Sequence, residues 1–140
     1  MILGGDRIEL RKADVDECFL GGWASPEAAL EFSVSHSTLS YRIALNGEVL
    51  CYWGFAAETA LSASCKAWML SAPAIEKHRV FAARESRRLL DLLLEDFYAV
   101  AVLVDPNYET AVRWLSWLGF RRSQVFDRFV EMRVTRGSRA

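Results

Sequence analysis

The sequence predicts one α/β domain whose mixed, twisted sheet carries helices on both faces. The first sign is Asn46-Gly47, which separates two strand-like runs, residues 40–45 and 48–57. Asn-Gly favours a type I′ turn, because both turn positions need a positive φ, so the two runs form a hairpin. The second sign is a long helical pattern between two apolar strands, and the third is a short helix that ends at Gly119.

Length and composition limit the classes of protein that remain. The 140 residues fit one domain, which we assign to residues 1–135, followed by a flexible tail at residues 136–140. With 52% hydrophobic and 25% charged residues, the chain is too apolar for disorder. The longest apolar runs are far shorter than the roughly 20 residues of a membrane span, so no membrane contact is expected. A net charge of −1 argues against a domain that mainly binds nucleic acid.

The cysteines and the N-terminus indicate a reduced, cytoplasmic compartment. Three cysteines are an odd number, and they lack the spacing of metal ligands, so we predict reduced, buried side chains and no metal site. They are Cys18, Cys51 and Cys65. The first ten residues do not combine a basic start with an apolar stretch, so no secretory signal is predicted.

The first third of the chain predicts a strand and two helices. Residues 8–13 alternate between apolar and polar side chains, as a half-buried strand does. Asp14 can cap a short helix after that strand. Ser25 before Pro26 marks a second helix start, because serine can accept a free backbone N–H and proline fits the first helical position. That helix is predicted to end near Ser37.

The middle of the chain predicts a strand, a long helix and a second strand. Residues 66–71 form a strand that Pro73 ends. The helical pattern covers residues 75–97, with apolar side chains on one face and charged side chains on the other. Residues 100–104 form a buried strand, which runs parallel to the first because a helical crossover joins them.

The last third predicts a turn, a short helix and two closing strands. The turn at residues 105–107 leads into a helix that Gly119 ends. Its inward-facing side chains are Ala111, Trp114, Leu115 and Leu118. Residues 121–126 and 128–135 follow as strands, the second with apolar residues at alternate positions.

Residues 111–120, read A-V-R-W-L-S-W-L-G-F, resemble a motif of the GNAT superfamily of N-acetyltransferases. In that motif a short helix, entered by Asn-x-x-Ala, ends in Gly-Phe, and residues 100–106 stand where the family places its fifth strand. The order of elements matches the family over nearly the whole chain. The resemblance implies the GNAT fold, binding of acetyl-CoA or another acyl-CoA, and direct transfer of the acyl group to an amine.

A narrower resemblance links the chain to a small GNAT-like family of tailed bacteriophages and prophages, some of whose members are named as internal virion proteins. It is carried by W-M-L-S-A-P at residues 68–73, K-H at 77–78, R-E-S-R-R at 84–88 and R-W-L-S-W-L-G-F at 113–120. It implies a phage or prophage origin and a place in the host cytoplasm, with virion association as an alternative. Phage structural proteins are the partners that it implies, whereas the GNAT resemblance implies an unknown small-molecule or protein amine. A homodimer built on an exposed strand or aromatic patch could accompany either function.

The resemblance also implies where the cofactor would lie. Backbone groups of the strand at residues 66–71 would pair with the pantetheine arm, and the pyrophosphate would sit on the N-terminus of the long helix. The family's phosphate loop, Arg/Gln-x-x-Gly-x-Gly/Ala, falls by counting on residues 81–86, where Arg84 and Ser86 replace both glycines. Arginine side chains could bind the phosphates instead, or they could form the solvated face of a helix. The predicted cofactor-binding residues are Met69, Leu70, Ser71, Arg79, Ala82, Ala83, Arg84, Ser86 and Arg87.

The candidate catalytic residues each have an ordinary structural alternative. The tyrosine that serves many family members as a general acid is replaced by Leu115, and Tyr108 is either its substitute or a surface aromatic. His78 and Glu58 are candidate general bases, or else a surface histidine and an exposed carboxylate at a strand end. Ser71 either orients the thioester carbonyl or begins a turn. Because the phosphate loop and the tyrosine are altered, an inactive GNAT-like protein that binds the virion or a host partner is the alternative to an acyltransferase.

Overall fold

The computed structural model describes residues 2–3, 6–7, 10, 12–20, 22–57 and 63–137 of the chain. These residues form two compact units. The first unit comprises Met1–Phe55 and Trp68–Ala83, and the second comprises Ala56–Ala67 and Arg84–Ala140. Each unit is described by itself below.

Eight strands, four α-helices and one 3₁₀ helix occur among the described residues. In chain order they are β1 (Ile2–Leu3), β2 (Asp6–Arg7), α1 (Lys12–Leu20), α2 (Pro26–His36), β3 (Leu39–Leu45), β4 (Glu48–Ala57), β5 (Ser64–Ser71), the 3₁₀ helix Pro73–His78, α3 (Arg79–Asp96), β6 (Ala99–Val104), α4 (Glu109–Leu118), β7 (Arg121–Phe126) and β8 (Phe129–Thr135). Six strands form one sheet in the order β3-β4-β5-β6-β8-β7, while β1 and β2 pair with each other. The pair β5–β6 is parallel, and the pairs β3–β4, β6–β8 and β7–β8 are antiparallel. The predicted mixed sheet is confirmed.

The predicted hairpin and the predicted second helix are confirmed in the first unit. Asn46 has a φ of 53° and Gly47 a φ of 80°, the positive values that a type I′ turn needs. Ser25 caps α2, because its Oγ accepts a hydrogen bond from the backbone N–H of Ala28 at 3.2 Å. The helix ends at His36, one residue before the predicted end.

The prediction of a strand at residues 8–13 is wrong at Lys12 and Ala13, which begin α1. Part of the predicted strand, residues 8, 9 and 11, lies outside the described residues. One turn of the helix brings Lys12 Nζ within 3.1 Å of Asp16 Oδ2, an i,i+4 pair that a strand cannot form. Asp14 therefore lies inside the helix, where it is 4% exposed, and it does not cap the start of α1.

Gly54 occupies a tightly packed position in the sheet of the first unit. A Cβ atom added at Gly54 would lie 2.8 Å from the backbone oxygen of Leu39 and 2.8 Å from the indole ring of Trp68. The indole is held in place, since its Nε1 donates to Ser37 Oγ at 2.6 Å. The core beside it contains Leu10, Cys18, Ala29, Leu30, Tyr52 and Leu70. This strand position therefore requires glycine for space and not for its backbone angles.

In the second unit, helices α3 and α4 supply apolar side chains to a core that also contains one face of β6 and β8. The buried side chains are Leu90, Leu93, Leu94, Val100, Val104, Leu115, Leu118, Val130, Met132 and Val134. Gly119 ends α4 with a φ of 105°, as predicted. Arg136, which the sequence placed in the tail, donates from Nε to the carbonyl of Leu94 at 2.6 Å and from its backbone N–H to Tyr98 at 2.8 Å. All three cysteines are buried, and none of them forms a disulfide.

A buried carboxylate in the second unit links β8 to β7. Glu131 is 8% exposed and accepts hydrogen bonds from Ser123 Oγ at 2.7 Å and Gln124 Nε2 at 2.9 Å. The hydrogen bond from Ser123, then that from Gln124, and finally the positive charges of Lys66 and Arg133 lower the pKa of Glu131 below its usual 4.5. The ionised form is thus favoured by the fold.

This lowered pKa predicts how stability depends on pH. A carboxyl with a lower pKa in the folded state adds stability above its unfolded-state pKa, and that stability is lost as the pH falls through the folded value. We expect the stability of the Glu131→Gln variant to fall less steeply than wild type below about pH 4.5. Urea unfolding between neutral pH and pH 3 measures this, with Glu109→Gln as the exposed control in the same unit. A wild-type slope in Glu131→Gln would contradict the assignment.

Candidate functional site

A buried hydroxyl group without a partner lies at the end of β5. Ser71, the last residue of the strand, is 1% exposed, and its Oγ has no hydrogen-bond partner among the described residues. Its backbone N–H donates to Oδ2 of Asp14 at 2.6 Å. A buried hydroxyl left unsatisfied costs about 1–3 kcal/mol, so the fold tolerates this group at a loss. Such a group is a reasonable candidate for contact with a ligand.

The strand that leads to Ser71 extends beyond its parallel ladder. The ladder joins Ser64, Cys65, Lys66 and Ala67 to Ala99, Val100, Ala101 and Val102. Strand β5 continues to Ser71. Met69 is half-buried, whereas the side chain of Leu70 is 8% exposed and packs in the core of the first unit. Only the backbone of Leu70 could therefore contact a cofactor.

A 3₁₀ helix follows β5 and leads directly into α3. Arg79 begins α3, and its side chain is held by Glu76, with Nη2–Oε2 at 2.6 Å and Nε–Oε2 at 3.1 Å. His78 is half-buried, with Nε2 3.7 Å from Glu48 Oε1. Two of the predicted site residues thus already have acidic neighbours within the first unit.

Residues 81–86, on which the family's phosphate-loop pattern falls by counting, lie inside α3. The helix was predicted to start at residue 75, and it starts at Arg79 after the 3₁₀ helix Pro73–His78. Glycine disfavours a helix, whereas alanine, arginine and glutamate favour one. Because the stretch Ala82–Ala83–Arg84–Glu85 has no glycine, it remains part of the helix. Ala82, Ala83 and Ser86 are half-buried helical residues.

Three exposed arginines of the second unit differ in their partners. Arg87 lies over the ring of Trp117, with its guanidinium carbon 4.3 Å from the ring centroid. Arg88 pairs with Glu85 at 2.7 Å, and this hydrogen bond raises the pKa of Arg88 and lowers the pKa of Glu85. Arg84 has no ion-pair or hydrogen-bond partner among the described residues. Of these three side chains, Arg84 is therefore the best candidate to bind an anionic ligand.

The remaining catalytic candidates lie at the start of α4 and in a gap of the described chain. Tyr108 occupies the N-cap position of α4, is half-buried, and donates its backbone N–H to Asp105 at 2.9 Å. Leu115, which replaces the family's tyrosine, is 4% exposed. Glu58 lies outside the described residues.

No protein-family model matches the chain, and no curated protein matches it either. Several solved structures do resemble the chain. A GNAT-family acetyltransferase from Bacillus anthracis superposes with a TM-score of 0.62 and 12% identity, over 89% of this chain and 82% of that one. Aminoglycoside acetyltransferase AAC(6')-Ib, solved with coenzyme A and kanamycin, gives 0.63 and 20%, over 93% and 95%. A Vibrio cholerae spermidine N-acetyltransferase SpeG chimera with hSSAT gives 0.60 and 13%, over 91% and 95%. The chain has the GNAT fold.

The GNAT fold was predicted from sequence, and the structure adds Asp14 to the candidate site. Sequence patterns missed Asp14 because an acidic residue after a presumed strand suggests a helix cap. Its role depends on a contact with Ser71, 57 residues away in the sequence. Among the described residues no cluster of three or more metal-ligating side chains occurs. No helix there has the length and apolar character that a membrane span needs.

Proposed function

We propose that this protein is an N-acyltransferase that binds acetyl-CoA or another acyl-CoA and presents the acyl group to an amine. The proposal rests chiefly on Ser71, whose buried hydroxyl lacks a partner at the end of β5 in a GNAT fold. A thioester carbonyl at this point would accept the hydrogen bond that the hydroxyl does not make within the described protein. The bound acyl-CoA would supply a thioester that is activated toward attack by an amine.

The chain would hold this cofactor mainly through its backbone and through arginine. Backbone groups of Met69 and Leu70 would bind the pantetheine arm as an added strand does. The start of α3 would face the pyrophosphate, where the helix dipole favours an anion. Arg84, with no partner among the described residues, would contribute a positive charge. The other residues proposed to bind the cofactor are Arg79, Arg87, Ala82, Ala83 and Ser86. The AAC(6')-Ib structures, which contain coenzyme A, supply a precedent within the fold.

The transfer would need a base for the attacking amine and an acid for the leaving group. His78 would accept the proton of the attacking amine, and Glu48, 3.7 Å away, would stabilise the imidazolium that results. Glu58 is the alternative base. Tyr108 would donate a proton to the departing thiolate of coenzyme A in place of the absent tyrosine.

The acceptor is proposed to be a small-molecule or protein amine. Within the fold, AAC(6')-Ib is named for aminoglycosides and SpeG for spermidine, so amine acceptors of very different size occur. A phage or prophage origin, with a place in the host cytoplasm or the virion, is part of the same proposal. It is supported by the runs at residues 68–73, 84–88 and 113–120.

An inactive GNAT-fold protein of the virion, or one that binds a host partner, is the second candidate. The observation that favours it is the continuous helix across residues 81–86, which replaces the glycine loop that brings backbone close to a phosphate. Leu115 also favours this candidate, because it is buried at the position where many GNAT proteins carry a tyrosine that acts as a general acid.

Two measurements test the proposal. Acetyl-CoA at about 100 times its dissociation constant should add about 2.7 kcal/mol to the free energy of unfolding and raise the melting temperature. Thiol release from acetyl-CoA with a panel of amines measures turnover. Binding without turnover would favour the inactive candidate, and no binding at millimolar acetyl-CoA would reject both the transferase and its cofactor site.

Ser71→Ala separates the catalytic role of the hydroxyl from a structural one. We expect no loss of stability, because the change removes an unsatisfied buried hydroxyl. Turnover should fall at least about tenfold, since a hydrogen bond to the thioester oxygen would be lost. Unchanged turnover in Ser71→Ala would remove Ser71 from the mechanism.

Arg84→Gln should weaken acetyl-CoA binding. Arg88→Gln is the control, because Glu85 already forms an ion pair with Arg88.

A further inference from the structure

A pocket of about 330 Å³ lies in the second unit, where α4 ends and β7 begins. Its lining residues are Ser116, Gly119, Phe120, Arg121, Arg122 and Met132. None of them belongs to the proposed acyl-CoA site. The volume falls at the lower end of the range of small-molecule sites, which is roughly 300–1,000 Å³.

The chemistry of the lining divides into an apolar floor and a cationic rim. The floor consists of Phe120 and Met132, which line the pocket and are 4% and 1% exposed. Arg121 and Arg122 are exposed residues of β7. Neither arginine has an ion-pair or hydrogen-bond partner among the described residues. Adjacent apolar and cationic surfaces match a molecule with one apolar and one anionic end.

The register of the sheet relates the cationic rim to the apolar floor. Arg121 lies directly opposite Arg133 in the β7–β8 ladder, and Arg122 lies opposite Met132. Side chains directly opposite each other in a ladder lie on the same face of the sheet. The positive charge of Arg122 therefore lies on the same face as Met132 of the apolar floor. Glu131, the neighbour of Met132 in β8, is hydrogen-bonded to Ser123 and Gln124.

We propose that this pocket binds a small amphipathic anion, in which a carboxylate or phosphate group is joined to a compact apolar body. Arg122, on the face of the apolar floor, would hold the anionic group through charge-assisted hydrogen bonds, and the charge of Arg121 beside it in β7 would add to the attraction. Phe120 and Met132 would contact the apolar body, and Ser116 also lines the pocket. This site is independent of the proposed acyltransferase reaction.

The experiment uses octanoate and octyl phosphate as probes, with octanol as the neutral control and inorganic phosphate as the head group alone. Calorimetry at low salt should show one saturable site for at least one octyl anion and no binding of octanol. The preferred head group then distinguishes a carboxylate from a phosphate ligand. Binding of inorganic phosphate as tight as that of octyl phosphate would overturn the role of the apolar floor, and absence of binding by every probe would overturn the site.

Substitutions in the lining test whether the probe binds in this pocket. The Arg121→Gln/Arg122→Gln double variant should bind the anion at least about tenfold more weakly, and Ser116→Phe should do the same by filling the pocket. Arg113→Gln, an exposed arginine of α4 outside the pocket, is the matched control and should bind as wild type does. Equal binding by wild type and the double variant, or competitive displacement of the probe by acetyl-CoA, would contradict the proposal.

Discussion

Asp14→Ala is expected to lower the free energy of unfolding by about 3 kcal/mol. The carboxylate is 4% exposed, and its Oδ2 accepts the backbone N–H of Ser71 at 2.6 Å. Without it, that N–H stays buried and loses a charge-assisted hydrogen bond. The backbone of the last β5 residue would then lack the partner that fixes it. Chemical denaturation at neutral pH measures the difference.

The same helix provides the control. Asp16 lies two residues further on, is exposed, and pairs with Lys12 on the surface. Because surface ion pairs contribute little, Asp16→Ala should change the free energy of unfolding by less than about 0.5 kcal/mol. Equal effects of Asp14→Ala and Asp16→Ala would show that the contact with Ser71 does not stabilise the fold.

Gly54→Ala is expected to destabilise the protein by about 2–3 kcal/mol. The added Cβ would lie 2.8 Å from the carbonyl oxygen of Leu39 and from two atoms of the Trp68 indole. The carbonyl belongs to the backbone of β3, and Ser37 holds the indole, so neither can move without breaking a hydrogen bond or a strand pair. Thermal unfolding and indole fluorescence report the change.

A methyl group added across the ladder tests whether the effect is specific to the crowded position. Ser40 lies directly opposite Gly54 and is exposed. Ser40→Thr should change the free energy of unfolding by less than about 0.5 kcal/mol, since exposed positions away from special contacts tolerate substitution. A loss in Ser40→Thr as large as that in Gly54→Ala would mean that the strand pair, and not the space beside Trp68, is sensitive.

The fold was predictable because its strongest signals are local. Asn46-Gly47, Ser25 before Pro26, and Gly119 each fix a turn or a helix end through their own backbone preferences. The parallel pair β5–β6 followed from a helix placed between two apolar runs. These signals need no information about residues that are distant in sequence.

The candidate site was less predictable because it depends on distant contacts and on competing helix propensity. Ser71 was selected from its place at a strand end, but the contact with Asp14 joins elements 57 residues apart. The family's phosphate-loop pattern was aligned by counting, and it falls on residues 81–86, which the helical pattern of the sequence also covers and which α3 contains. Short alternating runs, such as residues 8–13, also fail to separate a strand from the start of a helix.

The anchoring of Arg136 bears on how the chain folds as it is synthesised. The last turn of α3 contains no basic residue of its own, although a helix C-terminus carries a partial negative charge. Arg136 supplies that charge through Leu94 and Glu95, and it follows Leu94 by 42 residues. The ribosome must therefore complete β6, α4 and both closing strands before the end of α3 acquires its counter-charge.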